Sequence, residues 1–189
     1  MKKIGLLLLG LTLFSSSAFA DDYVIDKKGM HAFIQFRISH LGFSWLYGRF
    51  NNFGGKFTYN KEDPSSSSVV VTIDPASVDT NHAERDKHVR SEDFLYVDKY
   101  PEAKFVSTSF SMNEDGTGTL TGDFTLRGVT KPVTIAVNKV GEGADPWGGY
   151  RVGFEGKTSF ALADYGIPKD LGPTAKEVEL TLSIEGVKQ

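Results

Sequence analysis

The stretch DTNHAERDKHVRSEDF, residues 79–94, holds two of the chain's four histidines, with five acidic and three basic residues around them. Three chemistries suit such a cluster. The first is metal binding. His82 and His88 are six residues apart, about 240° around a helix, so they cannot chelate one ion together. His31 and His40 are nine apart, and on a continuous strand they face opposite ways, about 30 Å from one another. The chain has no C-x-x-C, H-x-H or H-E-x-x-H spacing. No metal site is expected. The second is nucleophilic catalysis by His88, Ser91 and Asp93. A triad needs a buried orienting acid and an oxyanion hole, and no G-x-S-x-G elbow occurs. Ser91→Ala with loss of hydrolysis would mark such an enzyme. The third reading is a charged helix over one end of the fold, with Ala83, Val89, Phe94 and Leu95 turned inward. Asn81 is its expected cap, Glu84 the capping-box partner, and Ser91 the cap of a second short turn. This third reading is the expectation.

The elements around the cluster are mostly strands. Period-two alternation marks eight segments, beginning with HAFIQFRI, GGKFTY, SVVVTID and AKFVSTSF. GTLTGDFTLRG, KPVTIAV, YRVGFEGKTSFAL and EVELTLSIEGV complete the set. The last is the cleanest: Val178, Leu180, Leu182 and Ile184 share one face and acids and hydroxyls the other. The helix falls between the third and fourth segments. After Leu46, Gly48 and Phe50, the inward phase shifts by one residue to Phe53, Gly55 and Phe57, which suggests a bulge. Short strands, one helix and 20 glycines point to an antiparallel sandwich or a closed barrel.

Residues 1–20 stand apart. Lys2 and Lys3 precede an apolar core at 4–14, and Ala18-Phe19-Ala20 has the small-x-small form of a cleavage site. A secretory signal peptide cleaved after Ala20 is expected, leaving residues 21–189 as a single exported domain. The apolar core is short for a membrane span. Without Lys2 and Lys3, 19 basic and 24 acidic residues remain, a formal charge of −5, which argues against nucleic acid as partner. The chain has no cysteine, so no disulfide contributes to its stability.

The 14 Phe, 7 Tyr and 2 Trp exceed what the outward faces need. They either fill an ordinary core or line an elongated cavity. Interior Gly48, Gly55, Gly122 and Gly156 leave room and lean towards the cavity, although glycine also serves bends in curved sheets. A filled core suits a different class of protein, an exported stress-response or interaction protein. Trp147, in DPWGG, would then be a contact residue or a ring folded over a barrel end.

The order and spacing of four motifs carry a family resemblance over essentially the whole mature chain. They are HAFIQFRISHLG, YGRFNNFGGKF, SVDTNHAERDKHVRSEDFLYVDKYPEAKF and LTGDFTLRGVTKPVTI. Together they resemble the YceI-like family of periplasmic, lipocalin-like, polyisoprenoid-binding proteins. The resemblance implies an all-β, eight-stranded antiparallel barrel around a long apolar pocket. It implies a long-chain lipid ligand, isoprenoid-like, no cofactor and no established enzymatic activity. Many members carry Phe where Tyr165 and Leu95 stand here. The expected tail site is Ile34, Phe36, Ile38, Phe50, Phe57, Phe105, Phe124, Leu126 and Phe154, with Phe94 turned inward and His40 near the head. The expected setting is the periplasm, with transient contact to a membrane or a membrane protein. The oligomeric state stays open, with a dimer among the options.

Overall fold

The computed structural model describes residues 20–189, so the signal-peptide reading of residues 1–20 lies, apart from Ala20, outside the described residues. In chain order the strands are β1 Asp21–Ile25, β2 Phe33–His40, β3 Ser44–Phe50, β4 Phe53–Tyr59, β5 Ser68–Ile73 and β6 Val78–Asp79. Helix α1, Ala83–Arg90, follows. Then come β7 Ala103–Met112, β8 Thr117–Leu126, β9 Val129–Ala144, β10 Tyr150–Ala161 and β11 Glu177–Lys188.

The sheet closes on itself through β11. The ring runs β1-β4-β5-β7-β8-β9-β10-β11 and returns to β1, eight antiparallel strands with no free edge around the ring. β11 serves two partners along its length. Its last residues pair with β1, Ile25 opposite Gly186, and its first half pairs with β2, Leu182 opposite Ile34. β1 and β2 thus share one side of β11, separated by the loop at 26–32. β3 and β4 are divided in the same way. β3 pairs with β2, Phe36 opposite Gly48, and β4 with β1, Tyr23 opposite Phe57.

The phase shift expected as a bulge is a break at Asn51 and Asn52. The Asn51 N–H donates to Ser77 O at 3.1 Å and the Asn52 N–H to Ser77 Oγ at 2.9 Å. These bonds satisfy backbone groups that the sheet releases there, and β6 pairs with the end of β3 just beyond. The alternation of β11 is realised as read: Val178, Leu180, Leu182 and Ile184 face the interior.

The helix expected between the third and fourth segments is α1. Because β1, β3 and β6 are added to the segments read from the sequence, it follows the sixth strand of the chain. Its cap differs from the expectation. His82 is the N-cap, and its Nδ1 accepts from the Arg85 N–H at 3.2 Å. Asn81 has φ +62°, the left-handed region, and cannot present its side chain as a cap. Ser91 does cap the following turn: its Oγ accepts from the Asp93 N–H at 3.4 Å and its carbonyl from the Phe94 N–H at 3.1 Å, while the same Oγ donates back to His88 O at 2.7 Å.

One barrel end is tied by a charged knot. Arg151 of β10 donates from Nη1 to Asp26 Oδ2 at 2.6 Å and to Glu185 Oε1, and from Nε to Asp145 Oδ2 at 2.8 Å. The Gly29 N–H, then the Arg151 guanidinium and His31, hold the nearly buried Asp26 carboxyl below its ordinary value.

Candidate functional site

The barrel interior is not filled. A cavity of about 360 Å³ lies between β2, β3, β8, the start of β11 and the loop at 166–176, within the range of small-molecule sites. A second, of about 100 Å³, lies further along the barrel. Their order is readable on β11, where Val178 and Leu180 line the large cavity and Leu182 and Ile184 the small one. Successive inward residues of one strand thus pass from one space to the next.

The structure brings together most of the expected lining. Ile34, Phe36, Ile38 and His40 from β2 face the large cavity, with Phe50 from β3 and Phe124 and Leu126 from β8. Phe94 joins them, its ring edge-on to His88 at 5.1 Å. Phe57 and Phe154 line the small cavity instead, 6.1 Å apart in a T-shaped contact. Phe105 lines neither. Its ring lies against Gly122, where an added Cβ would sit 2.4 Å from Cζ.

Two of the interior glycines, Gly48 and Gly122, have a different role from the one expected, whereas Gly156 lines the small cavity. Gly48 does not leave its space open: an added Cβ would meet Phe36 Cζ at 2.3 Å. Gly48 and Gly122 each let an aromatic ring lie flat on the sheet. At Gly48 this keeps Phe36 against the wall of the large cavity.

Sequence reasoning missed part of the wall. Ile167, Leu171 and Ala175 come from a loop without periodicity, and Thr80 and Arg85 from α1 and its approach, whereas Val89 lines the cavity as its expected inward turn implies. The charged cluster is therefore part of the enclosure. Three lining residues, His40, Leu41 and His88, are themselves exposed and mark where the cavity meets the surface. Beside Leu41, at the β2–β3 turn, Phe43 is 87 % exposed.

Two groups have the elements of chemistry. His88 Nε2 lies 2.8 Å from Asp93 Oδ2, and this bond holds the Asp93 carboxyl below its ordinary value. The Ser91 hydroxyl is engaged with the His88 carbonyl oxygen. Asp26, His31 and Glu185 bring three ligand atoms within 4.8 Å of one another, but Arg151 Nη1 already binds both carboxylates.

The protein is thus a closed antiparallel β-barrel whose apolar interior reaches the surface beside His40, Leu41 and His88. The sequence matches the YceI-like domain over residues 23–186, and the chain belongs to that family. A UPF0312 protein of Ectopseudomonas mendocina is 58 % identical over 186 residues, 98 % of this chain and 97 % of that one. Two solved structures share the fold at lower identity. Burkholderia cenocepacia BcnA superposes with a TM-score of 0.74 at 20 % identity, covering 85 % of this chain and 98 % of its own. A polyisoprenoid binding domain from Saccharophagus degradans gives 0.64 at 15 % identity, covering 88 % and 98 %.

Proposed function

We propose that the protein is a periplasmic carrier of an amphiphilic lipid with a long, isoprenoid-like tail, held in the barrel. The observation that carries this reading is the large cavity, whose wall is aliphatic and aromatic except for five residues. A tail there is stabilised by roughly 25 cal/mol for each Å² of apolar surface removed from water. The small cavity beyond gives a long chain further room along β11. Family membership supports the reading, as does the polyisoprenoid-binding description of the Saccharophagus domain. Binding rather than catalysis fits Ser91, whose hydroxyl serves its own turn.

Export rests on the signal-like residues 1–20. Contact with a membrane falls on the β2–β3 turn, where Leu41 is both exposed and part of the cavity wall and Phe43 projects beside it. Apolar side chains at such a tip favour the boundary of a bilayer.

Phe36→Trp tests the reading. The added ring volume has open space beside it, so we expect the stability to change by less than about 1 kcal/mol. Affinity for a long-chain isoprenoid lipid should fall at least about tenfold. A filled core would instead lose about 1–3 kcal/mol. Both are measured by urea unfolding and by titration of the lipid. Unchanged affinity in the folded variant would sink the assignment. When the same lipid is offered in vesicles, Phe43→Asp should slow its uptake; equal rates would remove the membrane contact from this turn.

A further inference from the structure

The polar residues of the large cavity are Ser39, His40, Thr80, Arg85 and His88. Arg85 alone among them carries a permanent charge, and among the described residues no carboxylate lines this space. A positive charge therefore stands alone in the wall of an apolar cavity, in a chain whose formal net charge is −3.

Arg85 is held in place by Thr80, which is 3 % exposed. Its Nε donates to Thr80 Oγ1 at 2.8 Å and its Nη2 to Thr80 O at 2.5 Å. Thr80 Oγ1 donates in turn to Asp86 Oδ1 at 2.5 Å, and the Thr80 N–H donates to the same oxygen at 2.8 Å. The Asp86 carboxylate thus fixes the threonine, and the threonine orients the guanidinium. Arg37, Arg49 and Arg151 each pair with an acid, whereas Arg85 forms no ion pair among the described residues. Thr80 engages two of the five N–H donors that a guanidinium carries. A half-buried cation without a counter-ion is costly beside a neutral chain, and an anion placed against it offsets that cost through charge-assisted hydrogen bonds.

We propose that Arg85, oriented by Thr80 and Asp86, is the head-group site of this cavity and selects an anionic head, a phosphate ester or a carboxylate, over a neutral one. The inference rests on the lipid-carrier reading and adds the chemistry of the head. The tail lies along the apolar strands, and the head meets the guanidinium on the side of the cavity formed by α1.

The test compares three probes with the same tail, geranylgeranyl phosphate, geranylgeranoic acid and geranylgeraniol, titrated into the mature chain. We expect at least one anion to bind at least about tenfold tighter than the alcohol, the worth of one hydrogen bond to a charged group. Preference for both anions supports a general anion site, and preference for the phosphate alone a phosphate-ester site. Arg85→Gln should bring the anion-to-alcohol ratio close to parity, and Arg85→Lys should restore part of it. Equal binding of anions and alcohol by the unaltered protein overturns the proposal, as does a ratio that Arg85→Gln leaves unchanged. The comparison on the unaltered protein needs no substitution, so it stands even where loss of Arg85 unsettles the Thr80 turn. If the alcohol binds without an anion preference, only the head-group site fails; if none of the three binds, the carrier reading falls with it.

Discussion

Arg151→Met is expected to lower the unfolding free energy by about 3–5 kcal/mol at pH 7, the cost of stranding buried charge when one partner is removed. Asp26 and Asp145 keep only 5 % and 6 % of their side-chain surface, and Arg151 bonds both. It also reaches Glu185 on β11. The knot therefore ties β10 to β11, to the residue after β1 and to the β9–β10 turn, at the place where the ring closes. The sign of its pH dependence follows from the carboxyls. The Gly29 N–H, ahead of Arg151, depresses Asp26, and the Gly149 N–H, ahead of Arg151, depresses Asp145, each from an ordinary value of 3.8. Depressed carboxyls stabilise the fold above that value and lose their contribution as the pH falls through their folded values. The difference between the variant and the unaltered protein should therefore shrink as the pH falls below the ordinary carboxyl value of 3.8 and the carboxyls take up protons. Urea unfolding at pH 7 and at pH 3 measures both differences. A cost under about 1 kcal/mol at pH 7, or an equal cost at both pH values, would contradict this account.

The second large effect lies at the alkaline end. Burial pushes the Tyr23 and Tyr165 phenols up to about 12, from 10.0. Both are almost wholly buried. Raised values mean that the fold favours the neutral phenol. Stability is then complete below pH 10 and is lost as the pH rises towards 12. Each tyrosine should contribute about 2–3 kcal/mol to that loss. The two differ in a useful way. The Tyr165 hydroxyl is buried without a hydrogen-bond partner among the described residues, between Phe124 and Phe160 at ring distances of 5.5 and 5.0 Å. Tyr165→Phe should therefore flatten the alkaline slope and also raise stability at pH 7 by about 1 kcal/mol, because an unsatisfied group is removed. Denaturant midpoints between pH 8 and pH 11.5 measure the slope. An unaltered slope in Tyr165→Phe would rule out this origin.

Much of the barrel was legible because closure places one face of nearly every strand inside. On β11 this writes an unbroken alternation from Val178 to Ile184. The signal weakened where both faces carry apolar groups. In β3, Trp45 and Tyr47 point out to solvent while Leu46 and Phe50 point in, so amphipathic contrast is low. β1 has only five residues, two of them acidic, and its place depends on β11 and β4, far away in the chain. The helix cap was misread for a local reason. Asn81 is a good cap by type, but asparagine also tolerates the left-handed conformation that the turn uses, and the capping role passed to His82.

The candidate site was legible to the same depth. The inward faces of β2 and β8 could be read, but not the level at which each residue stands along the barrel axis. Phe57 and Phe154 point inward at the second cavity's level, and Phe105 lies flat because cross-strand register sets Gly122 beneath its ring. Arg85 was hidden among the charged residues of both signs in the 79–94 cluster. Only the turn of α1 against the barrel separates Arg85, which lines the cavity, from the lysine and arginine further along the helix.

The central claim is that the cavity holds a lipid, and native mass spectrometry of the protein isolated from cells tests it most directly. The expected result is the mature chain with an added mass that dissociates as a single hydrophobic molecule, and loss of that mass from Phe36→Trp. A chain that is repeatedly isolated with no added mass under mild extraction, and whose melting temperature no long-chain lipid raises, would contradict it.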